Sequence, residues 1–232
     1  MTRAVFFDAG HTLVYAHPDL RTIYAEVTAS LGARLEPERF AAAFGPAFKA
    51  GVKEFAADGR ASDAQDLAMW RGITRRIHDA LRLDVPFETW FEALWTRFGS
   101  PASWRVYDDV VETLDRLRRR GLRLGVVSNW DSRLRGIAEG LGLAARVDFL
   151  VISAEAGVRK PDPGIFRLAL EKAGVRPEEA LHVGDLAEED VLGAQRAGVR
   201  AALIERSTRM VDASAVPGVP ILRSLAELDA LL

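Results

Sequence analysis

The stretch Arg3–Leu13, RAVFFDAGHTL, carries a short apolar run, Ala4 to Phe7, that stops abruptly at Asp8. A run this short, continuous and partly β-branched or aromatic reads as a buried strand of a parallel sheet. Asp8 then stands at the strand's carboxyl end, where open α/β sheets place their ligands. Gly10 permits a tight turn, and Thr12 follows Asp8 by four residues. Alone, an Asp here is also an ordinary turn residue. The rest of the chain decides between the two.

Three more strand ends or helix starts repeat the theme. Ser128 and Asn129 close a second apolar run, and RKPDP, Arg159 to Pro163, opens a helix after a third. HVGD, His182 to Asp185, closes a fourth, with Asp190 five residues beyond Asp185. In this order the four pieces resemble the motifs of the haloacid dehalogenase-like (HAD) hydrolase superfamily, over nearly the whole chain. Lysine occurs only at 49, 53, 160 and 172, and Asn129 is the only asparagine, so Lys160 and Asn129 at motif positions carry extra weight.

The remaining residues set the frame. With 232 residues and 49% hydrophobic composition, the chain can bury a core plus a smaller insert. A net charge of −2 gives no pull toward nucleic acid or a membrane surface. The absence of cysteine excludes disulfides, thiolate metal sites and cysteine nucleophiles. No apolar stretch approaches the length of a membrane span, and no leader pattern precedes residue 4. A soluble cytoplasmic protein is the expectation.

From Asp19 to about Ser100 the pattern is helical. Asp19 caps a helix ended by Gly32, Pro37 starts one carrying Phe40, Phe44, Phe48 and Phe55, Ser62 caps a third, and Pro86 starts a fourth with Trp90, Leu94 and Phe98. From residue 109 the chain alternates: helix to Arg120, strand 122–127, helix 131–140, strand 147–152, helix 163–173, strand 180–183, helix 188–197, strand 199–204, and a last helix capped by Ser224. Such alternation argues a parallel sheet with right-handed crossovers. The expected division is an α/β core, 1–15 and 103–232, interrupted by a helical bundle, 16–102. The resemblance makes this a Rossmann-like HAD core, strand order 5-4-1-2-3, with an inserted helical cap.

A carboxylate can attack phosphorus to give an aspartyl phosphate if a cation screens the two anions. The resemblance implies that Asp8 is this nucleophile, and that Mg²⁺ is held by Asp8, the Gly10 carbonyl, Asp185 and, in support, Asp190. It implies that Ser128 and Asn129 bind phosphate and that Lys160 neutralises both nucleophile and phosphoryl group. Lys160 lies at a helix start, where a cation is unfavourable, so its placement calls for an anionic partner. Arg159 reads as a surface residue; Glu188 and Glu189, in the same turn as Asp190, either assist the cluster or form a solvated face, and the solvated face is the reading taken. The implied partner is a small phosphorylated molecule, with no nucleic acid and no membrane.

One position departs from the family pattern. HAD phosphatases usually carry a second Asp two places after the nucleophile, to protonate the leaving group and later activate water. Here that place is Gly10. Either His11, a water, the substrate or a cap residue supplies the proton, or the chemistry is slow, suited to good leaving groups, or different. Two alternatives therefore stay open: a non-catalytic HAD-fold binding protein, or a hydrolase of C–P or C–halogen bonds. The C–P version would use Lys49 or Lys53, one helical turn apart, as a Schiff-base amine.

Overall fold

The computed structural model describes residues 1–55, 60–206 and 212–232. The strands are β1 (Ala4–Phe7), β2 (Val14–Ala16), β3 (Trp104–Val106), β4 (Arg123–Ser128), β5 (Phe149–Ile152), β6 (Ala180–Gly184), β7 (Arg200–Ile204) and β8 (Ile221–Leu222). The helices are α1 (Leu20–Ser30), α2 (Pro37–Phe55), α3 (Asp63–Leu81), α4 (Phe87–Gly99), α5 (Val110–Arg119), α6 (Arg133–Gly140), α7 (Ser153–Ala156), α8 (Pro163–Ala173) and α9 (Gly193–Arg196). Two compact units result: Met1–Tyr15, Gly59–Ser62 and Val106–Leu232 in one, Ala16–Asp58 and Asp63–Arg105 in the other.

The first unit is built on a parallel six-stranded sheet, order β5-β4-β1-β6-β7-β8. Counted along the chain and read from the far edge, this is the expected 5-4-1-2-3 with a sixth strand added outside. That strand, β8, spans two residues, too few for a periodic signal. β1 lies at the centre because all four of its side chains are apolar and fully buried, which only a strand covered on both faces tolerates. Phe6 packs edge-on against Phe149, and Ile165, Phe166 and Ala169 of α8 belong to the same buried cluster. β2 and β3 pair in a separate two-stranded sheet.

Two expected helices differ in kind. Residues 188–197 form a π-helical turn, Ala187–Leu192, that runs into the short α9. The last helix is 3₁₀, Leu225–Leu231, capped by the Ser224 hydroxyl as its residue type suggests.

The second unit contains α1 to α4. Its core gathers Tyr24, Phe40, Ile73, Ile77, Trp90 and Leu94, all essentially inaccessible. Tyr24 sits 4.6 Å from the Phe40 ring and 5.7 Å from the Trp90 ring, centre to centre. The Trp90 indole N–H donates to the Thr28 hydroxyl (2.9 Å), so a large ring is buried without an unsatisfied donor. The Asp19 carboxylate caps α1 through the Arg21 and Thr22 amides. Of the expected phenylalanine stripe, the Phe55 side chain lies outside the described residues. No described helix is long and apolar enough to cross a membrane.

Candidate active site

Sheet register assembles the site. Phe7 pairs with Val126 on one side and Val183 on the other. The carboxyl ends of three central strands therefore coincide, and Asp8, Ser128 and Asp185 meet at one edge. The Asp8 amide continues the ladder by donating to the Val183 carbonyl (2.9 Å). Ser128 is buried at the end of β4.

Lys160 enters from the loop before α8, where Asp162 caps the helix through the Gly164 amide and Pro163 opens it. Its ammonium donates to Asp8 Oδ1 (2.7 Å) and Asp190 Oδ1 (2.6 Å), with its side chain 2% exposed. The cation at a helix start thus has its anionic partners. Arg159, read as a surface residue, is buried as well.

Asp190 is held from several sides. Oδ1 also accepts from His182 Nε2 (2.9 Å), and Oδ2 accepts from the Leu186 amide (2.9 Å). A Cβ at residue 184 would overlap this carboxylate, so only glycine lets Asp190 lie against the end of β6. Asp190 therefore holds Lys160 while adding its own charge to the cluster.

The Asn129 side chain is engaged with the protein itself. Its Oδ1 accepts the Lys160 amide (2.8 Å), and its Nδ2 donates to the Lys160 carbonyl (2.9 Å) and to Glu189 Oε2 (2.8 Å). Both amide protons are committed, so the side chain clamps the Lys160 backbone. Glu189, expected on a solvated face, is half-buried beneath this clamp. Glu188 is exposed as expected.

Charge follows geometry. Burial alone would pull the Lys160 pKa down, but Asp190 and Asp8 outweigh it and hold the pKa far above the usual value. Burial likewise opposes ionisation of Asp190, yet Lys160 and His182 keep its pKa below the carboxylate range. Burial lowers the His182 pKa and keeps the ring neutral. An ionised Asp190 can only accept, so Nε2 carries the imidazole proton. Burial pushes Glu189 up to about 7, with Asp190 and Asp8 adding to it against Lys160.

A hard dication suits the remaining donors. Asp8, Asp185 and Asp190 are all buried, and each brings a carboxylate oxygen within 4.8 Å of the others. An all-oxygen, carboxylate-rich set is what Mg²⁺ selects.

Sequence reasoning missed two members. His182 was visible only as an odd polar residue in the apolar strand ALHVG. Arg206 had no signal. Its guanidinium, buried just beyond β7, donates to the Thr12 carbonyl (Nη2 2.6 Å, Nε 3.1 Å) and through Nη1 to both Asp109 oxygens (2.9 and 2.8 Å). It thereby braces the loop that follows Asp8. Lys49 and Lys53 are both exposed on α2, without the burial that activates an amine nucleophile.

Residues 2–198 match the family model for haloacid dehalogenase-like hydrolases. The chain belongs to this family. As a HAD-like hydrolase it is 34% identical over 236 residues to haloacid dehalogenase-like hydrolase domain-containing protein 3 of Danio rerio, covering 99% of this chain and 96% of that protein. It is 34% identical over 194 residues to the phosphoserine phosphatase of Thermus thermophilus, covering 62% of this chain and 78% of that one. Among solved structures, a HAD phosphatase from Thermococcus onnurineus superposes with a TM-score of 0.63 at 26% identity, over 100% of this chain and 97% of that one. This HAD-like hydrolase thus has phosphatases among its relatives, and its buried Asp cluster is of a kind that can bind a metal.

Proposed function

We propose that this HAD-like hydrolase is a Mg²⁺-dependent phosphatase that hydrolyses a small-molecule phosphate monoester through an aspartyl phosphate on Asp8. The contact between the Lys160 ammonium and Asp8 Oδ1, 2.7 Å, carries the reading. A buried cation on one carboxylate oxygen orients the other and offsets the charge of an incoming phosphoryl group.

Asp8, the Gly10 carbonyl and Asp185 would hold the metal, with Asp190 in support. Bound there, Mg²⁺ supplies positive charge that lets a carboxylate approach a phosphate dianion. The Asp8 carboxylate attacks phosphorus in line with the leaving oxygen. Ser128 donates its hydroxyl to a phosphoryl oxygen, and Lys160 carries the second positive charge. Asp190 and the Asn129 clamp fix Lys160 at its side chain and its backbone. Water then attacks the phosphorus of the acyl phosphate and releases phosphate and Asp8.

Phosphate release from p-nitrophenyl phosphate, with Mg²⁺ and with EDTA, tests this. Turnover should require Mg²⁺ and vanish in Asp8→Asn, with thermal unfolding still cooperative. Turnover retained by Asp8→Asn overturns the proposal. So does failure to release phosphate from any ester by a folded, Mg²⁺-supplied protein.

A further inference from the structure

The ground beside the nucleophile narrows the substrate further. We infer that the site takes phosphate esters of acidic, flat alcohols, aryl or enol phosphates, and that Trp130 is the residue that receives their leaving group. This rests on the phosphatase reading above.

Gly10 brings no side chain to the loop after Asp8. Among the described residues, and apart from its chain neighbours, a Cβ built there would meet a single atom within 4 Å, Trp130 Cζ3 at 3.5 Å. The space above this loop is therefore bounded by an indole ring, which has a π-face and no acidic proton. The ring is half-buried, leaving part of it accessible. Its backbone is fixed: the Trp130 amide donates to Ser153 Oγ (3.0 Å), and its carbonyl accepts from Ser153 Oγ and the Ala154 amide (both 3.2 Å). The atom that meets this space is on the ring's edge, so it offers a flat group an edge-to-face contact and no proton transfer.

Three of the polar side chains near Asp8 have prior engagements. Lys160 is bound to two carboxylates, Asp190 accepts from three donors, and the Asn129 amide is committed to Lys160 and Glu189. When Asp8 bonds to phosphorus and the P–O bond to the leaving group breaks, the electron pair goes to that oxygen. It departs as an aryl-oxide or enolate and takes its proton from solvent. Water then adds its oxygen to phosphorus, the P–O bond to Asp8 breaks, and phosphate leaves with the water's protons. Only leaving groups stable as anions pass the first step quickly.

A leaving-group series on the wild-type protein tests the inference without any variant. Substituted phenyl phosphates should turn over more slowly as their phenols become weaker acids. Alkyl phosphates should fall about 10²–10⁴-fold below p-nitrophenyl phosphate, the usual worth of a positioned acid. Trp130→Leu should raise KM for aryl phosphates roughly 3–10-fold, the scale of one aromatic pair, and raise KM for alkyl phosphates less. Binding gives a readout independent of turnover: phenylphosphonate should bind the wild type more tightly than ethylphosphonate, and Trp130→Leu should remove the difference. Aryl and alkyl phosphates turned over alike, with no change of preference in Trp130→Leu, overturn this inference and leave the phosphatase reading standing. A shallow series made steep by Glu189→Gln or His11→Gln also overturns it, by revealing an acid. No turnover of any ester removes both readings.

Discussion

Two buried cations flank the loop that carries Asp8, and they differ in what they hold. Lys160 places a compact charge on the nucleophile candidate itself and on Asp190. Arg206 aims its planar fork at a backbone carbonyl and at Asp109, with its guanidinium 4.2 Å from the Tyr107 ring centre. Asp109 in turn accepts from the Ser224 hydroxyl and the Leu225 amide (both 2.7 Å). Burial works against its charge, but Arg206 and Ser224 keep its pKa below the usual value. A lysine's ammonium is a compact point charge that can serve several oxygens at once, whereas arginine's rigid planar fork suits a fixed target. Burial and ion pairing alone therefore do not mark a reactive site; the identity of the partner does.

The comparison breaks most visibly at Lys160. Lys160→Met should lower p-nitrophenyl phosphate turnover at least about 10²-fold, the scale of one lost charge-stabilising donor. It should also cost about 3–5 kcal/mol in urea unfolding, because two buried carboxylates lose their cation. Arg206→Met should lose about 3 kcal/mol of stability for the same physical reason, with turnover per folded molecule changed less than about tenfold. Arg206→Lys sharpens the contrast: it keeps the charge, loses the fork, and should cost about 1–2 kcal/mol. Equal losses of turnover in the Lys160 and Arg206 variants would mean that both cations serve the chemistry.

A smaller effect lies in pH. The His182 pKa is lowered from 6.5 by burial, so the unfolded chain takes up the proton first as pH falls. The stability that comes from a neutral His182 is complete above 6.5 and is lost as pH drops through the lower folded value. Asp190 adds a second loss as pH falls from 3.8 toward its depressed folded value. His182→Gln, which can still donate to Asp190, should remove the first loss and keep the second, read as Tm against pH. The smallest effect is at Glu189, whose raised pKa has the opposite sign for a carboxylate. Its ionisation penalises the folded state, with no penalty below 4.5 and the full penalty above about 7. Glu189→Gln in EDTA should raise Tm above that range and leave it unchanged below it.

The same two cations show what a sequence makes legible. Asp8, Ser128, Lys160 and Asp185 announce themselves because each is a polar residue at the end of an apolar run or the start of a helix. The parallel sheet brings such ends to one edge whatever the loops do. Arg206 is 194 positions from Thr12 and follows a strand without a motif, so only the folded chain reveals its target. Asn129 looked like a phosphate ligand because its neighbour Ser128 did. Its side chain pairs with the Lys160 backbone, 31 residues away, which no local pattern signals. Glu189 turns inward where the chain forms a π turn, with the Val191 amide donating to the Leu186 carbonyl five residues back, a local geometry that carries no sequence signal here. The helices of the second unit were legible for a simpler reason. Phe40, Phe44 and Phe48, or Trp90 and Leu94, repeat every four residues, and that spacing alone places them on one face of a helix.

The measurement closest to the central claim is mass spectrometry of the protein quenched in acid during turnover of p-nitrophenyl phosphate with Mg²⁺. Acid preserves an acyl phosphate long enough to locate it. The expected result is one added phosphoryl group, confined to the peptide that contains Asp8 and absent from Asp8→Asn. A phosphoryl group on any other residue, or rapid turnover that leaves the Asp8 peptide unmodified at every quench time, would contradict the assignment of Asp8 as the nucleophile.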